Sequence, residues 1–282
     1  MSATAALARA RSLLFAPADD ERKLRSAAEA GADAVIADLE DGVAPPAREG
    51  ARANIEAAFA GEPGQVLRCV RINPPGTPDH ERDVQLVRGL AGTVVVLPKA
   101  TPAAVEAVAG VAPLVAIVES AAGLDGAREL AAHETVEALA LGNLDLSADL
   151  GLRPRRDGLE LLVPRATLVL ASAVAEIRPP FDGVHADFRD EAGLREEVEL
   201  AASLGLRGKL CIHPAQVAAV NESFAPSRSE LAWARAVLEE SEAADREGRG
   251  VAVLDGAMID APVIKRARAL LQGGERTEVD NR

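Results

Sequence analysis

The 282-residue chain has few aromatic residues. Phe, Trp and Tyr together make up 2% of it, and Tyr is absent, whereas apolar residues reach 48%. The core must therefore consist mainly of Ala, Val and Leu. Such a core suits the tightly packed layers of a parallel α/β fold better than an aromatic-rich β-sandwich.

Basic residues are outnumbered by acidic ones. The chain has 31 Lys and Arg against 44 Asp and Glu, which gives a net charge of −13. A duplex nucleic-acid binder needs a basic surface to neutralise phosphates, so we expect no nucleic-acid partner. A small anionic ligand stays compatible with this charge because it needs only a few local cations.

Cysteines are scarce and long apolar runs are absent. Cys69 and Cys211 lie inside apolar stretches, as buried small hydrophobes do, and their spacing fits neither a zinc site nor a disulfide framework. The first residues, MSATAALARARS, are interrupted by Arg9 and Arg11 and lack the apolar centre of a signal peptide. No apolar run approaches the length of a membrane span. We expect a soluble, cytoplasmic protein without a membrane partner.

A regular alternation runs through most of the chain. Short β-branched or Leu-rich runs are followed by longer segments of helical period. The predicted strands are 12–17, 34–40, 66–73, 93–99, 113–120, 136–145, 181–187 and 208–214. Eight βα units in about 220 residues predict an α/β protein with a (β/α)8 TIM barrel, which we assign to residues 1–224.

Residues 225–282 depart from this alternation. The pattern predicts a long exposed helix over 229–248, a turn-rich ribbon over 249–262 and a further helix over 262–272. The segment is too short to build a core of its own. We therefore expect a helical and ribbon extension that packs on the barrel or on a neighbouring subunit.

Polar residues follow the predicted strands, and most of them are acidic. In TIM barrels the active site lies at the C-terminal ends of the strands. The residues at these ends are Glu40, Asp41, Arg71, Asn73, Lys99, Glu119, Asp145, Asp187 and His213. Strands end at loops, where polar residues are common whatever their role. So many carboxylates with so few lysines nevertheless suggest a hard divalent cation.

Glu119 and Asp145 form the best candidate metal site because they end the neighbouring strands five and six. Mg2+ prefers one or two carboxylates, with water and substrate oxygens completing an octahedron. The sequence therefore predicts a Mg2+ site here, with Mn2+ as the alternative ion. Asp145 also precedes the stretch LSADLG and could instead cap a short helix there.

Eight motifs in this order resemble the citrate lyase β-subunit-like family of the HpcH/HpaI aldolase superfamily, which includes malyl-CoA and citramalyl-CoA lyases. The resemblance covers residues 11 to 270, and the motifs are RSLLFAPADDERKLRSA, DLEDGVAP, VRIN, LPKA, IVESAAG, LGNLDLSADLG, GKLCIHPAQV and LDGAMIDAP. It implies a Mg2+-dependent carbon–carbon lyase on a (β/α)8 barrel, typically a homotrimer. Such an enzyme cleaves or forms a 3-hydroxyacyl-CoA of the malyl-, citramalyl- or citryl-CoA type, with an acyl-CoA and a 2-keto acid as the other partners.

The resemblance also implies roles for individual residues. Glu119 and Asp145 match the Mg2+ ligands, which agrees with the choice made from the strand ends. Arg71 of VRIN matches the residue that binds the keto acid and the thioester region. Asp260 of the stretch MID matches an acid/base that reaches in from a neighbouring subunit. Without the resemblance, Asp260 would be a solvated residue of a turn-rich ribbon.

Four further residues complete the predicted substrate site. Arg22 and Lys23, at the first strand–helix junction, match the region that meets the nucleotide phosphates of coenzyme A, although a solvated helix face would look the same. We expect Glu40 to orient Arg71 or a metal-bound water, and Asp41 to order the metal's surroundings. Alternatively, Asp41 only shapes the turn before Gly42.

Several alternatives stay open. One is a Mg2+-dependent aldolase that cleaves a hydroxy-keto acid without coenzyme A. Another is a Schiff-base aldolase that uses Lys99, and a third is a citrate lyase β-subunit that is active only within a complex. Leu144 stands where many members of the family have Glu, which leaves the acyl and keto partners open. The role of His213 also stays open, because a lone histidine is more often a packing or capping residue than a catalyst.

Overall fold

The computed structural model describes residues 1–61, 64–249 and 251–280. The chain forms two compact units, Met1–Phe224 and Ala225–Arg282, because most contacts between residues lie within one unit or the other.

The first unit is built on seven parallel strands in the order β6-β5-β4-β3-β2-β1-β7. These are β1 Ser12–Pro17, β2 Ala34–Asp38, β3 Leu67–Arg71, β4 Thr93–Leu97, β5 Leu114–Val118, β6 Val136–Leu141 and β7 Lys209–Cys211. The helices are α1 Ala3–Leu7, α2 Glu21–Glu29, α3 Arg48–Ala58, α4 His80–Arg88, α5 Pro102–Glu106, α6 Ala121–Asp125, α7 Ala127–Ala132, α8 Asn143–Leu150, α9 Leu162–Val174, α10 Glu191–Leu204 and α11 Val217–Ser223. Every strand pairs in parallel with its neighbours, as the alternation of strand and helix signals predicts.

Two isolated bridge pairs between β6 and β7 close the sheet into a barrel. Ala140 of β6 pairs with Phe181, and Asp182 pairs with Lys209 of β7. These two isolated bridges occupy the place of the predicted seventh strand. The barrel prediction is therefore confirmed, although its eighth position is filled by two residues rather than by a full strand.

The predicted strand 181–187 is wrong beyond Asp182, and a side-chain amide explains why. The peptide N–H of Val184 donates to Asn143 Oδ1 at 2.8 Å, and Asn143 Nδ2 donates to the carbonyl of Val184 at 3.0 Å. An added Cβ at Gly183 would lie 2.1 Å from Asn143 Oδ1, so glycine permits this close approach. The amide of Asn143 thus takes the hydrogen bonds that a neighbouring strand would otherwise make.

The alternation of side chains along the strands fixes which residues face the barrel interior. Ile36 of β2 and Cys69 of β3 belong to the interior hydrophobic cluster, whereas Val35 packs in the outer cluster beneath the helices. Because successive side chains point to opposite faces, Asp38 and Arg71 also face inward. They are paired in register at the last positions of β2 and β3, so both lie at the C-terminal mouth of the barrel.

The second unit consists of a long helix, an antiparallel hairpin and a final helix, in the predicted order. These are α12 Arg228–Arg246, β8 Ala252–Leu254, β9 Ala257–Ile259 and α13 Ala261–Asp280. Ser227 and Glu230 form a capping box at the start of α12. Contrary to the expectation from its length, the unit has a small hydrophobic cluster of its own, which includes Val237 and Ile259.

Among the described residues, none of the helices is both long enough and apolar enough to cross a bilayer.

Candidate active site

Charged side chains gather at the C-terminal ends of four neighbouring strands. Asp38 ends β2 and Glu40 follows it, Arg71 ends β3, Lys99 follows β4 and Glu119 follows β5. The three carboxylates are almost fully buried, while the Lys99 side chain is half exposed. Buried charges are costly unless they are paired, so the partners of each group define what the cluster can do.

Asp38 and Arg71 form a bidentate ion pair. Asp38 Oδ1 accepts from Arg71 Nε at 2.6 Å, and Asp38 Oδ2 accepts from Arg71 Nη2 at 2.6 Å. Burial alone would lower the pKa of Arg71, but the hydrogen bonds and charge of Asp38, together with the charge of Glu40, outweigh it and raise that pKa. The guanidinium also lies over the Phe15 ring, 4.7 Å from its centroid. Arg71 is therefore a fixed cation at the barrel mouth.

Asp38 also organises the turn that follows β2. Its carboxylate accepts from the peptide N–H of Glu40 at 3.0 Å and from that of Gly42 at 2.8 Å. A Cβ at Gly42 would lie 2.4 Å from Asp38 Oδ2, which accounts for glycine at this position. The side-chain acceptor of this turn is thus Asp38 and not the exposed Asp41. The sequence prediction assigned Asp38 no role.

Glu40 lies between two cations. Its Oε1 accepts a hydrogen bond from the Lys99 ammonium, and its Oε2 lies 3.1 Å from Arg71 Nη1. Burial raises the pKa of Glu40, and the charges of Arg71 and Lys99 offset only part of that rise. The contact with Arg71 is the one that an orienting role for Glu40 would require.

Glu119 is the carboxylate of the cluster whose pKa is shifted most. Its Oε1 accepts from the peptide N–H of Lys99 at 2.7 Å, and no donor to its Oε2 is found in the described part of the chain. Burial raises the pKa of Glu119 to about 7, and the charges of Glu40 and Asp145 contribute to the rise. Gly142 packs directly on this side chain, since a Cβ there would lie 2.6 Å from Glu119 Oε2.

Asp145 lies in the first turn of α8, because β6 ends at Leu141 and not at the predicted residue 145. The helix begins after Gly142 without a side-chain cap, so the alternative that Asp145 caps it is wrong. Asp145 is exposed, and its charge reaches Glu119 strongly enough to raise the pKa of that carboxyl. Two carboxylates, one directly after β5 and one in the helix that follows β6, therefore share one region of negative potential.

This pair fits a magnesium ion. A cation between the two carboxylates would relieve the repulsion that helps to raise the pKa of Glu119. Within residues 1–61, 64–249 and 251–280, no three His, Cys, Asp or Glu side chains are grouped as a metal site. Mg2+ needs only one or two carboxylates and takes its other ligands from water and substrate oxygens.

Lys99 has a side chain suited to ion pairing rather than to covalent catalysis. Burial would lower its pKa, but the hydrogen bond and charge of Glu40 outweigh burial and raise it. A Schiff-base lysine needs a lowered pKa, so that its amine is neutral near pH 7. The Schiff-base alternative is therefore disfavoured.

Three other predicted residues lie in exposed positions. Arg22 and Lys23 occupy the first turn of α2, where their peptide N–H groups donate to the capping carboxylate of Asp20 at 3.0 and 3.3 Å. Because α2 follows β1, this turn lies at the same end of the barrel as the charged cluster. Asp260 belongs to the second unit, where its Oδ1 accepts from the peptide N–H of Val263 at 3.1 Å at the start of α13.

His213 has a structural role. Its Nδ1 accepts from the peptide N–H of Ala215 at 3.1 Å and caps a short 3-10 helix that begins at Pro214. Its ring stacks on Phe188 with 4.3 Å between the centroids. These contacts agree with the capping and packing interpretation of this histidine.

The sequence did not predict one buried hydrogen-bond network of the site. Asn73 Nδ2 donates to the carbonyl of Leu39 at 2.9 Å and to Asp83 Oδ2 at 2.7 Å, while Arg52 Nη1 donates to Asp83 Oδ1 at 2.7 Å. Leu39 lies between Asp38 and Glu40, so this network ties the loop after β3 to the loop after β2. Asn73 was noticeable as a strand-end residue, but Asp83 within a helical segment gave no signal.

Comparison with known proteins identifies the family of the chain. The family HpcH/HpaI aldolase/citrate lyase matches residues 11–214. A citrate lyase subunit beta-like protein of Mycobacterium tuberculosis is 40% identical over 269 residues, which cover 94% of this chain and 96% of the relative. A (3S)-malyl-CoA thioesterase of Cereibacter sphaeroides is 38% identical over 273 residues, which cover 94% of each protein.

A solved structure shares both the fold and the sequence pattern. Protein CitE of M. tuberculosis, in complex with magnesium, acetoacetate and coenzyme A, has a TM-score of 0.81 and 38% sequence identity. The match covers 95% of this chain and 98% of that protein. The chain therefore belongs to the HpcH/HpaI aldolase/citrate lyase family, a family of aldolases and lyases.

Proposed function

We propose that the protein is a Mg2+-dependent carbon–carbon lyase that cleaves or forms a 3-hydroxyacyl-CoA, with an acyl-CoA and a 2-keto acid as the other partners. The observation that carries this proposal is the pair of carboxylates Glu119 and Asp145 at the barrel mouth, where the charge of Asp145 helps to raise the pKa of Glu119. The pair lies beside strand ends that hold the fixed cation Arg71.

The ligands of related structures support the substrate class. CitE of M. tuberculosis has been solved with magnesium, acetoacetate and coenzyme A, and also with magnesium and pyruvate. A further structure of that citrate lyase β subunit holds oxaloacetate and magnesium. All three acids are keto acids, and coenzyme A is the thioester carrier that the proposed reaction requires.

Glu119 and Asp145 would hold the metal ion. Bound there, Mg2+ would stabilise negative charge on the keto oxygen as a Lewis acid. Glu119 can act as a ligand through Oε2, because its Oε1 already accepts the peptide N–H of Lys99. The raised pKa of Glu119 means that bringing the cation in also displaces a proton near pH 7.

Arg71 would offset the charge that cleavage leaves on the thioester enolate. A preformed cation is most effective when it cannot reorient during the reaction. Asp38 holds Arg71 at two nitrogens, and Glu40 lies 3.1 Å from Nη1, so the guanidinium is fixed from two sides. Asp41, exposed next to Glu40, would help to order water around the metal.

Asp260 would take and return the proton of the thioester partner, acting in a homotrimer on the mouth of a neighbouring copy. Its carboxylate is exposed on the ribbon side of α13, as a group that meets another chain must be. Self-association is supported by the apolar face of α9, where Val163, Leu170 and Val174 are 70%, 58% and 57% exposed. Apolar patches of this kind mark contact surfaces.

Arg22 and Lys23 would bind the phosphates of coenzyme A. Both side chains are exposed at the end of the barrel where the charged cluster lies, and no carboxylate other than Asp20 lies within ion-pair distance of Arg22 among the described residues. Replacing both by Gln should raise the KM for the CoA thioester and leave the KM for the keto acid unchanged.

The proposal is tested with a panel of CoA thioesters combined with glyoxylate, pyruvate or oxaloacetate, with Mg2+ or with EDTA. We expect condensation or cleavage in at least one combination, dependent on Mg2+ and lost in Glu119→Gln and Asp145→Asn. Glu29→Gln, at the far end of α2, is the matched control and should keep full activity. Turnover in no combination would overturn the proposal, and so would activity that survives in EDTA.

Hydrolysis of the thioester is the second candidate, favoured by the 38% identity to a (3S)-malyl-CoA thioesterase. Release of free coenzyme A without any keto acid product, followed with a thiol reagent, would identify it. A CoA-independent aldolase would act on the free hydroxy-keto acid, and its melting temperature would not respond to CoA thioesters.

A further inference from the structure

Lys99 contacts two carboxylates of the cluster through two different groups. Its side-chain ammonium donates to Glu40 Oε1, and its peptide N–H donates to Glu119 Oε1 at 2.7 Å. Each contact fixes one oxygen of one carboxylate. This leaves Glu119 Oε2 available to a further ligand, whereas Glu40 is held between the cations of Lys99 and Arg71.

The backbone of Lys99 is strained. Its φ angle of 49° is one of three positive values among the non-glycine residues of the described chain. The left-handed region costs an L-residue with a side chain about 1 kcal/mol or more, and glycine is the residue that adopts it freely. Lysine therefore stands at a position where the backbone alone favours glycine, which points to a role for its side chain.

We propose that Lys99 is a positioning residue that keeps Glu40 paired and away from the metal ion, while its strained peptide presents Glu119 as a metal ligand. The proposal rests on the proposed function for the presence of Mg2+, but the two contacts exist without it. A cation at Lys99 also repels Mg2+, which keeps the ion exchangeable between turnovers.

Three substitutions remove or restore the cation at residue 99 while they keep the peptide N–H. Lys99→Met removes the ammonium and keeps a long side chain on the strained backbone. Lys99→Gly removes the ammonium and relieves the strain, yet retains the peptide N–H that Glu119 needs. Lys99→Arg restores a cation. Arg88→Gln is the control because it removes a positive charge from the last turn of α4, at the opposite end of the barrel.

The first measurement is a double-mutant cycle without metal. Free energies of unfolding are compared in EDTA for wild type, Lys99→Met, Glu40→Gln and the double variant. We expect the Lys99 substitution to destabilise the wild type and to have less effect once Glu40 is neutral. Additive effects would overturn the proposal, whatever reaction the enzyme catalyses.

The second measurement is calorimetric titration of each metal-free protein with MgCl2. Removing a unit positive charge near a divalent ion should tighten Mg2+ binding about fivefold in Lys99→Met and Lys99→Gly, whereas Lys99→Arg and Arg88→Gln should match wild type. Unchanged affinity in both neutral variants would overturn the proposal. If wild type binds no Mg2+, the proposed function fails, and the cycle in EDTA alone decides the positioning role.

Discussion

Replacing Asp38 by Asn should destabilise the protein more than any single change to an exposed acid of the same loop. The carboxylate accepts four hydrogen bonds, two from the Arg71 guanidinium and two from the peptide N–H groups of Glu40 and Gly42. An asparagine has one acceptor oxygen, and its NH2 group would face a donor. The substitution therefore leaves a buried cation short of its partner.

The expected magnitude follows from that geometry. Removing one partner of a buried ion pair costs about 3–5 kcal/mol, because the other charge stays uncompensated. Glu40 lies 3.1 Å from Arg71 and still compensates part of its charge, so we expect about 3 kcal/mol, the lower end of that range. For a unit of this size, such a loss lowers the melting temperature by about 6–12 °C.

Urea and thermal unfolding, followed by circular dichroism, measure this change. Asp41→Asn is the matched control, since Asp41 is exposed and next to the same turn. It should alter the free energy of unfolding by about 0.5 kcal/mol or less. A loss below about 1 kcal/mol in Asp38→Asn would refute the interpretation of Asp38 as the anchor of Arg71.

Three further predictions concern Glu119 and the packing of the barrel. Because burial raises the pKa of Glu119 from 4.5 to about 7, this carboxyl stabilises the metal-free fold below pH 4.5, and that contribution is lost as the pH rises through about 7. Unfolding in EDTA across this range should show the loss in wild type but not in Glu119→Gln, and parallel curves would contradict it. Gly142→Ala places a Cβ 2.4 Å from the Glu119 Cβ and should abolish Mg2+ binding by calorimetry, whereas Gly50→Ala, with no atom within 4 Å of the added Cβ, should bind Mg2+ as wild type does. Asp182→Asn leaves the fully buried Lys209 short of a carboxylate and should cost about 3 kcal/mol or more in urea unfolding, and a loss near zero would contradict that pairing.

The barrel was predictable because its strands are short apolar runs between helical segments. Such runs can be recognised in the sequence without knowledge of distant contacts. The same reasoning placed Glu40 and Glu119 at the C-terminal ends of their strands. It failed for residues 183–187, where the amide of Asn143 binds the backbone of Val184 in place of a strand. A side-chain contact across 41 residues leaves no periodic trace in the sequence.

The partners of the charged groups were harder to foresee than their positions. Asp38 was not among the predicted site residues, and its pairing with Arg71 depends on the register of β2 and β3. The backbone strain of Lys99 has no sequence signal, because glycine would be the expected residue there. The positions of these groups thus follow from local pattern, whereas their electrostatics follow from tertiary contacts.

The central claim is that Glu119 and Asp145 together hold one divalent cation. An anomalous difference map from crystals soaked in Mn2+ tests it most directly. We predict one peak per chain, about 2.1 Å from a carboxylate oxygen of each residue, as in an octahedral site for a small hard cation. A peak bound by only one of the two residues, a peak elsewhere in the barrel or no peak at all would contradict the claim.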